Sequence, residues 1–185
     1  MKVFEKPGKQ NTDETCRIAV ERAKLINAPI IAATTEGVSG LRVCQIAEEL
    51  GFTGQIVIVA SAYGAHAPGE SLLKDEYRDA IKARGVQIVA AAHALSGAER
   101  GMSTKFKGIY PLEIMAYTLR ILSQGVKVAV EIGSMALDAG AVAHGIPVVV
   151  IGGTSRGLDT AVVMSPAHAN AIFDSNIHEI LCMPY

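Results

Sequence analysis

Five short runs of apolar and β-branched residues constrain this chain most: PIIAATT (29–35), QIVIVASA (55–62), VQIVAAAH (86–93), KVAVEIG (127–133) and IPVVVIGG (146–153). None alternates between apolar and polar, so each is expected to be a strand covered on both faces, as in parallel sheets. Helical stretches separate them. TDETCRIAVERAKLIN (12–27) opens on Thr12 as an expected N-cap and carries a mixed apolar stripe; LRVCQIAEEL (41–50), ESLLKDEYRDAIKAR (70–84), PLEIMAYTLRILSQG (111–125) and SMALDAGAVAHG (134–145) repeat the pattern. Gly51, Gly85, Gly125 and Gly145 follow four of them and suit helix C-termini. Strands alternating with helices predict an α/β fold of three layers, an open, doubly wound, mostly parallel sheet. Too few residues separate DTAVVM (159–164) from the run before it for a helical crossover, so the C-terminal edge is expected to be antiparallel.

A chain of 185 residues without linker or repeat is expected to be one domain, 1–185. Half the residues are hydrophobic and 19% are charged, which excludes a disordered chain. A formal charge of −1 gives nucleic acid no basic face to bind. No apolar run is long enough for a membrane span, and MKVFEKPGKQ lacks the apolar core of a secretory signal. Cys16, Cys44 and Cys182 are scattered, as free thiols of a reducing compartment are, so a cytoplasmic protein is expected.

Ligands of open α/β sheets bind beyond the carboxyl ends of the strands. The segments there are TTEGVSG (34–40), SAYGAHAPGE (61–70), HALSGAERGMSTKFKG (93–108), EIGSMALDAG (131–140) and GGTSRGLDT (152–160), all carrying Gly, Ser, Thr, His or an acid. The opposite turns, NAP, GFTGQ and HGIP, are short. One edge of the sheet is therefore expected to hold a ligand.

In TTEGVSG, Gly37 and Gly40 let amides turn inward, Thr34, Thr35 and Ser39 add hydroxyls, and the following helix offers its positive end to an anion. An ordinary strand-to-helix turn with Ser39 as N-cap explains the same residues, and Glu36 counts against a phosphate unless it points away. Both readings stay open on these seven residues. GTSRG (153–157) has the spacing of a nucleophile elbow, but the strand-like LDTAVVMSP follows where an elbow needs a helix. Gly153, Thr154, Ser155 and Arg156 are better suited to an anionic ligand, Arg156 through its paired donors. His93 lies just past a strand and Glu131 closes another; they are read as polar contacts to a ring or as acid–base groups, beside Ser96 and Gly97. His66, His93 and Glu131 lack ligand spacing, so no metal is expected. Neither a GxGxxG after the first strand nor a P-loop is present.

Four segments, FEKPGKQNTDETCRIAVERAK, TTEGVSG, HALSGAERG and GGTSRGLDTAVVMSPAHANAIFDSNIHEILCMP, give the chain a resemblance over nearly its whole length. It resembles stand-alone archaeal and bacterial proteins related to the C-terminal domain of pyruvate kinase. The catalytic barrel has no counterpart, so the resemblance implies no kinase activity. In pyruvate kinase the corresponding domain is regulatory: a loop similar to TTEGVSG holds a phosphate of a sugar bisphosphate, and a loop like GGTSRGLDT closes over it. Thr34, Gly37 and Ser39 match that pattern, whereas Glu36 and Val38 do not. The stand-alone family looks like a binder of flavin mononucleotide (FMN). That implies an FMN phosphate at residues 34–40 and a ring lying toward HALSG and EIGSM, in a flavin-dependent enzyme of undefined substrate. A regulatory module for a phosphorylated metabolite is the alternative, and a hydrolase using Ser155 a weaker one. A homo-oligomer is expected on the frequency of symmetric assemblies.

Overall fold

Residues 30–34 illustrate how the sheet is built: Ile30 and Ala32 face one core while Ile31 faces the other, and all three are fully buried. A computed structural model describes residues 1–185. Its strands are β1 (Lys2–Phe4), β2 (Ile30–Thr34), β3 (Ile56–Ser61), β4 (Gln87–Ala91), β5 (Val148–Gly152), β6 (Thr160–Ser165) and β7 (Asn176–Pro184). Its helices are α1 (Thr12–Ile26), α2 (Val38–Glu49), α3 (Asp75–Lys82), α4 (Gly97–Phe106), α5 (Pro111–Arg120) and α6 (Gln124–Asp138). The strands form one mixed sheet in the order β1-β7-β6-β5-β2-β3-β4.

The centre of the sheet is parallel, with Ile30 opposite both Ile56 of β3 and Val149 of β5. β6 runs antiparallel to β5 and to β7, as the short connection demands. Outside β7 lies β1, a three-residue parallel strand that the sequence does not announce. One core joins the sheet to α1 and α2 through Cys16, Ala19, Val20, Val43 and Ile46; the other joins it to α6 and α5 through Val126, Ala129, Val130 and Ala116. The result is three layers, helix–sheet–helix. Burial pushes the Cys16 thiol up to about 12 and those of Cys44 and Cys182 up to about 11, so all three stay protonated and unreactive. No helix is long and apolar enough to cross a membrane.

Three local expectations are corrected. KVAVEIG is not a strand but the middle of α6, a helix buried along twelve of its fifteen residues. A helix buried on every side shows no polar face, and its valines at alternate positions imitate a covered strand. Gly125 accordingly terminates nothing: it lies in the first turn of α6, which Ser123 caps by accepting from the Val126 amide at 3.0 Å. Thr12 does not cap α1; its Oγ1 accepts from the Leu158 amide at 3.1 Å, tying α1 to the segment between β5 and β6. By contrast Gly51 and Gly85 take left-handed φ values of 63° and 73° just beyond α2 and α3, as expected of helix stops.

Candidate functional site

At the C-terminal ends of β2 and β3 the sheet opens into a cleft of about 440 Å³. The first turn of α2 forms one wall, the segment 153–158 another, and one face of α6 the third. Thr34, Thr35 and Ser39 reach it from the β2–α2 turn, and Gly153, Ser155 and Arg156 from the segment after β5. His93 and Glu131 complete the expected residues found there.

The β2–α2 turn builds itself around Thr34. Its Oγ1 accepts from the amides of Gly37 at 3.1 Å and Gly40 at 3.3 Å, and lies 3.0 Å from Ser39 Oγ. Ser39 Oγ in turn donates to the Ala33 carbonyl at 3.2 Å, so the Thr34 hydroxyl has Ser39 as its acceptor. Both hydroxyls are thus spent inside the turn. Gly37 and Gly40 line nothing: Gly37 has φ 110°, and a Cβ there would overlap Tyr77, while a Cβ on Gly40 would press on Ile58. They make the turn and let α2 approach the sheet. Ser39 is not the N-cap but lies one residue inside α2, which starts at Val38. What remains for an anion is the pair of first-turn amides of Val38 and Ser39, without partners in the chain, and the Thr35 hydroxyl. Ser39→Ala is therefore expected to cost stability, about 1 kcal/mol, and to weaken anion binding only through the loosened turn, because it leaves the Ala33 carbonyl short of a donor. Urea unfolding of the ligand-free protein measures the first of these; an unchanged midpoint contradicts the network.

The segment after β5 doubles back tightly. A Cβ on Gly153 would overlap the Gly157 carbonyl, and one on Gly157 would overlap the backbone of Lys9. Ser155 and Arg156 both adopt left-handed conformations, φ 49° and 66°, an unfavourable state for side-chain-bearing residues held here by the surrounding contacts. The Gly8 amide donates to Asp159 Oδ2 at 2.9 Å, and Asp159 is fully buried, so residues 8–9 are anchored over the loop and Lys9 enters the cleft. Thr154 lies outside the lining and accepts through its carbonyl from the Gly157 amide at 3.1 Å. Arg156 Nη1 contacts Glu36 Oε1 at 2.8 Å, and Lys74 Nζ contacts Glu36 Oε2 at 3.4 Å. Glu36, itself part of the cleft lining, thus has its charge offset by two cations.

Ser155 has no elbow beneath it, since β6 and not a helix follows. Nor are the histidines and Asp159 downstream of it free to serve it: His168 Nδ1 pairs with Asp138 at 2.7 Å, His178 Nε2 with Ser165 at 2.8 Å, and Asp159 holds Gly8.

Glu131 closes no strand; it projects from the middle of α6, 2% exposed. Its Oε1 accepts from the Leu95 amide at 3.2 Å, its Oε2 pairs with Lys127 one turn earlier, and His93 Nδ1 stands 3.7 Å away. Burial pulls the Lys127 ammonium below its ordinary value, and Glu131 opposes that shift. Ser96 and Gly97 lie elsewhere, Ser96 in a second cavity beside α4.

Residues that sequence reasoning left out give the cleft its other character. Val128, Ile132 and Met135 of α6 form an apolar wall, with Val59 of β3 also in the lining and Gln124 at the helix start. They were hidden by reading α6 as a strand; the helical spacing of Val128, Ile132 and Met135, with Lys127 and Glu131 four residues apart, is the signal that finds them. Lys9 has no local signal, because only the fold brings it there.

A family model described as pyruvate kinase, alpha/beta domain, matches residues 13–164. Among solved structures, the crystal structure of O-ureido-L-serine synthase aligns at 17% identity over 72% of this chain and 49% of that one, with a TM-score of 0.31. The chain thus spans about half the length of that synthase, and so loose an overlap carries no argument.

Proposed function

The chain belongs to the pyruvate kinase α/β-domain family, and from that footing we propose that it binds FMN in the cleft beyond β2 and β3, with the phosphate at the first turn of α2. One observation carries this reading: the cleft is anionophilic at one end and apolar along another side. The free amides of Val38 and Ser39, the Thr35 hydroxyl, Lys9 and Arg156 suit a phosphate. Val128, Ile132 and Met135 suit the face of a flat ring, with His93 and Gln124 as polar partners at its edge. A volume of about 440 Å³ lies in the range of cofactor sites. The redox chemistry would be the flavin's own, and the chain's residues would bind, orient and shield it. Glu36 fits this reading because its negative charge is offset by Arg156 and Lys74. The buried thiols accord with a cytoplasmic location. Exposed Phe106, Ile109, Ile114, Tyr117 and Ile121, from α4 through α5 to the turn after it, suit a homo-oligomer contact.

The test is titration of the protein into FMN and into riboflavin, followed by flavin fluorescence. FMN is expected to bind saturably, and riboflavin about 100-fold more weakly, on the scale of one or two hydrogen bonds to a charged group. Equal affinity for the two removes the phosphate from the α2 turn, and no binding of either removes the flavin. A second reading, a regulatory module for a phosphorylated metabolite, is favoured by the polar rim of Glu36, Arg156 and Lys74, which suits a hydroxyl-bearing ligand better than a flavin ring. Sugar phosphates bound by a protein indifferent to flavin establish it.

A further inference from the structure

A second cavity, of about 270 Å³, lies between α4, α5 and α6 and shares His93 and Gln124 with the main cleft. Its charges are not balanced as an ordinary surface groove's would be. Lys127, 6% exposed, forms part of its lining, together with Arg100 and Arg120. Arg120 spends its Nε on Gln124 Oε1 at 2.6 Å and rests 4.8 Å from the centre of the Tyr117 ring, which leaves both of its terminal nitrogens unpartnered. The one carboxylate in the lining, Glu113, already accepts from Ser103 Oγ at 3.1 Å and sits 3.7 Å from Arg100, so it holds Arg100 only loosely. Glu131 takes one of the three donors of Lys127 from the side of the main cleft. Ser96, whose hydroxyl has no partner in the chain, adds a donor at the start of α4.

We propose that this cavity is a second binding site, for a small organic carboxylate received by Arg120, Arg100 and Lys127 beside the larger ligand's cleft. Two features select a carboxylate over a phosphate. The open pair of Arg120 nitrogens is the planar fork that matches two carboxylate oxygens. Glu113 in the same lining repels a dianion more than a single negative charge. The small volume admits a molecule of few atoms, and the shared His93 and Gln124 put its far end at the boundary with the main cleft. This site does not depend on what fills that cleft. The negative charge of a bound anion also opposes the downward shift that burial imposes on Lys127.

The experiment titrates propionate, succinate and inorganic phosphate separately into isotope-labelled protein freed of copurifying small molecules, observing backbone amides by NMR. The expected result is saturable shifts at the amides of residues 96–100 and 124 with a carboxylate. The affinity is expected to fall tenfold or more in Arg120→Gln and in Arg100→Gln, while amides elsewhere keep their positions. Absent saturation, equal affinity in either variant, or a stronger response to phosphate than to both carboxylates overturns the proposal. Because no flavin is present, failure here leaves the FMN reading untouched, and failure of the flavin titration leaves this one standing.

Discussion

Glu131→Ala is expected to lower the unfolding free energy by about 3–5 kcal/mol, the cost of breaking a buried ion pair by removing one partner. The substitution strands the Lys127 ammonium, 6% exposed on α6, and takes the acceptor from the Leu95 amide. Replacing both members, Lys127→Met with Glu131→Leu, is expected to cost much less, because no charge is then left in the core. The sign of the pH dependence follows. Burial holds the folded-state value of Lys127 below its ordinary 10.5, and losing Glu131 lowers it further. Between the folded and unfolded values the unfolded chain binds the proton more tightly, so stability rises with pH through that window. The deficit of Glu131→Ala is accordingly expected to shrink in urea titrations as the pH rises toward the ordinary lysine value of 10.5, over the range where the buried lysine loses its charge before the unfolded one does. A deficit constant over that range shows that Lys127 finds another partner or solvent.

Gly152→Ala is expected to cost about 3 kcal/mol, at the upper end of ordinary overpacking. A Cβ at this last residue of β5 would overlap the Gly125 carbonyl and press on the Ala129 amide. Both obstacles are backbone of α6, so no side chain can swing aside. The helix has to move off the sheet, loosening Val126, Ala129 and Val130 in the core and displacing the cleft's apolar wall. Chemical denaturation measures the loss, and a near-neutral result means that α6 stands further from β5 than described.

The strands β2, β3, β4 and β5 were legible because each is a short apolar run with its polar residues gathered past one end. The β6–β7 reversal was legible because a short connection permits no crossover. α6 was not, since alternation of Val126, Val128 and Val130 satisfies a strand pattern while burial removes the polar face that marks a helix. That single misreading displaced Glu131 from a helix to a strand end and concealed Val128, Ile132 and Met135. The turn at 34–40 was located correctly, but not the division of labour inside it. Thr34 and Ser39 look like ligand donors in sequence, whereas folding consumes both hydroxyls and leaves the amides. Lys9 was invisible for a different reason: it lies far along the chain from every other residue of the cleft.

The β1–β7 pairing gives that distance a temporal meaning. Lys2 lies opposite Cys182 and Phe4 opposite Pro184, so residues from the two extremes of the described chain must meet before the sheet is finished. Contacts of such high sequence separation form late in folding, since a long loop must be closed first. On the ribosome, residues 2–4 emerge early and have no strand to pair with until β7 follows, while Gly8 and Lys9 wait for the segment 157–159. The binding cleft is thus completed late in folding, and a nascent chain carrying β2 to β5 already in register still lacks the lysine that docks only when Gly8 meets Asp159.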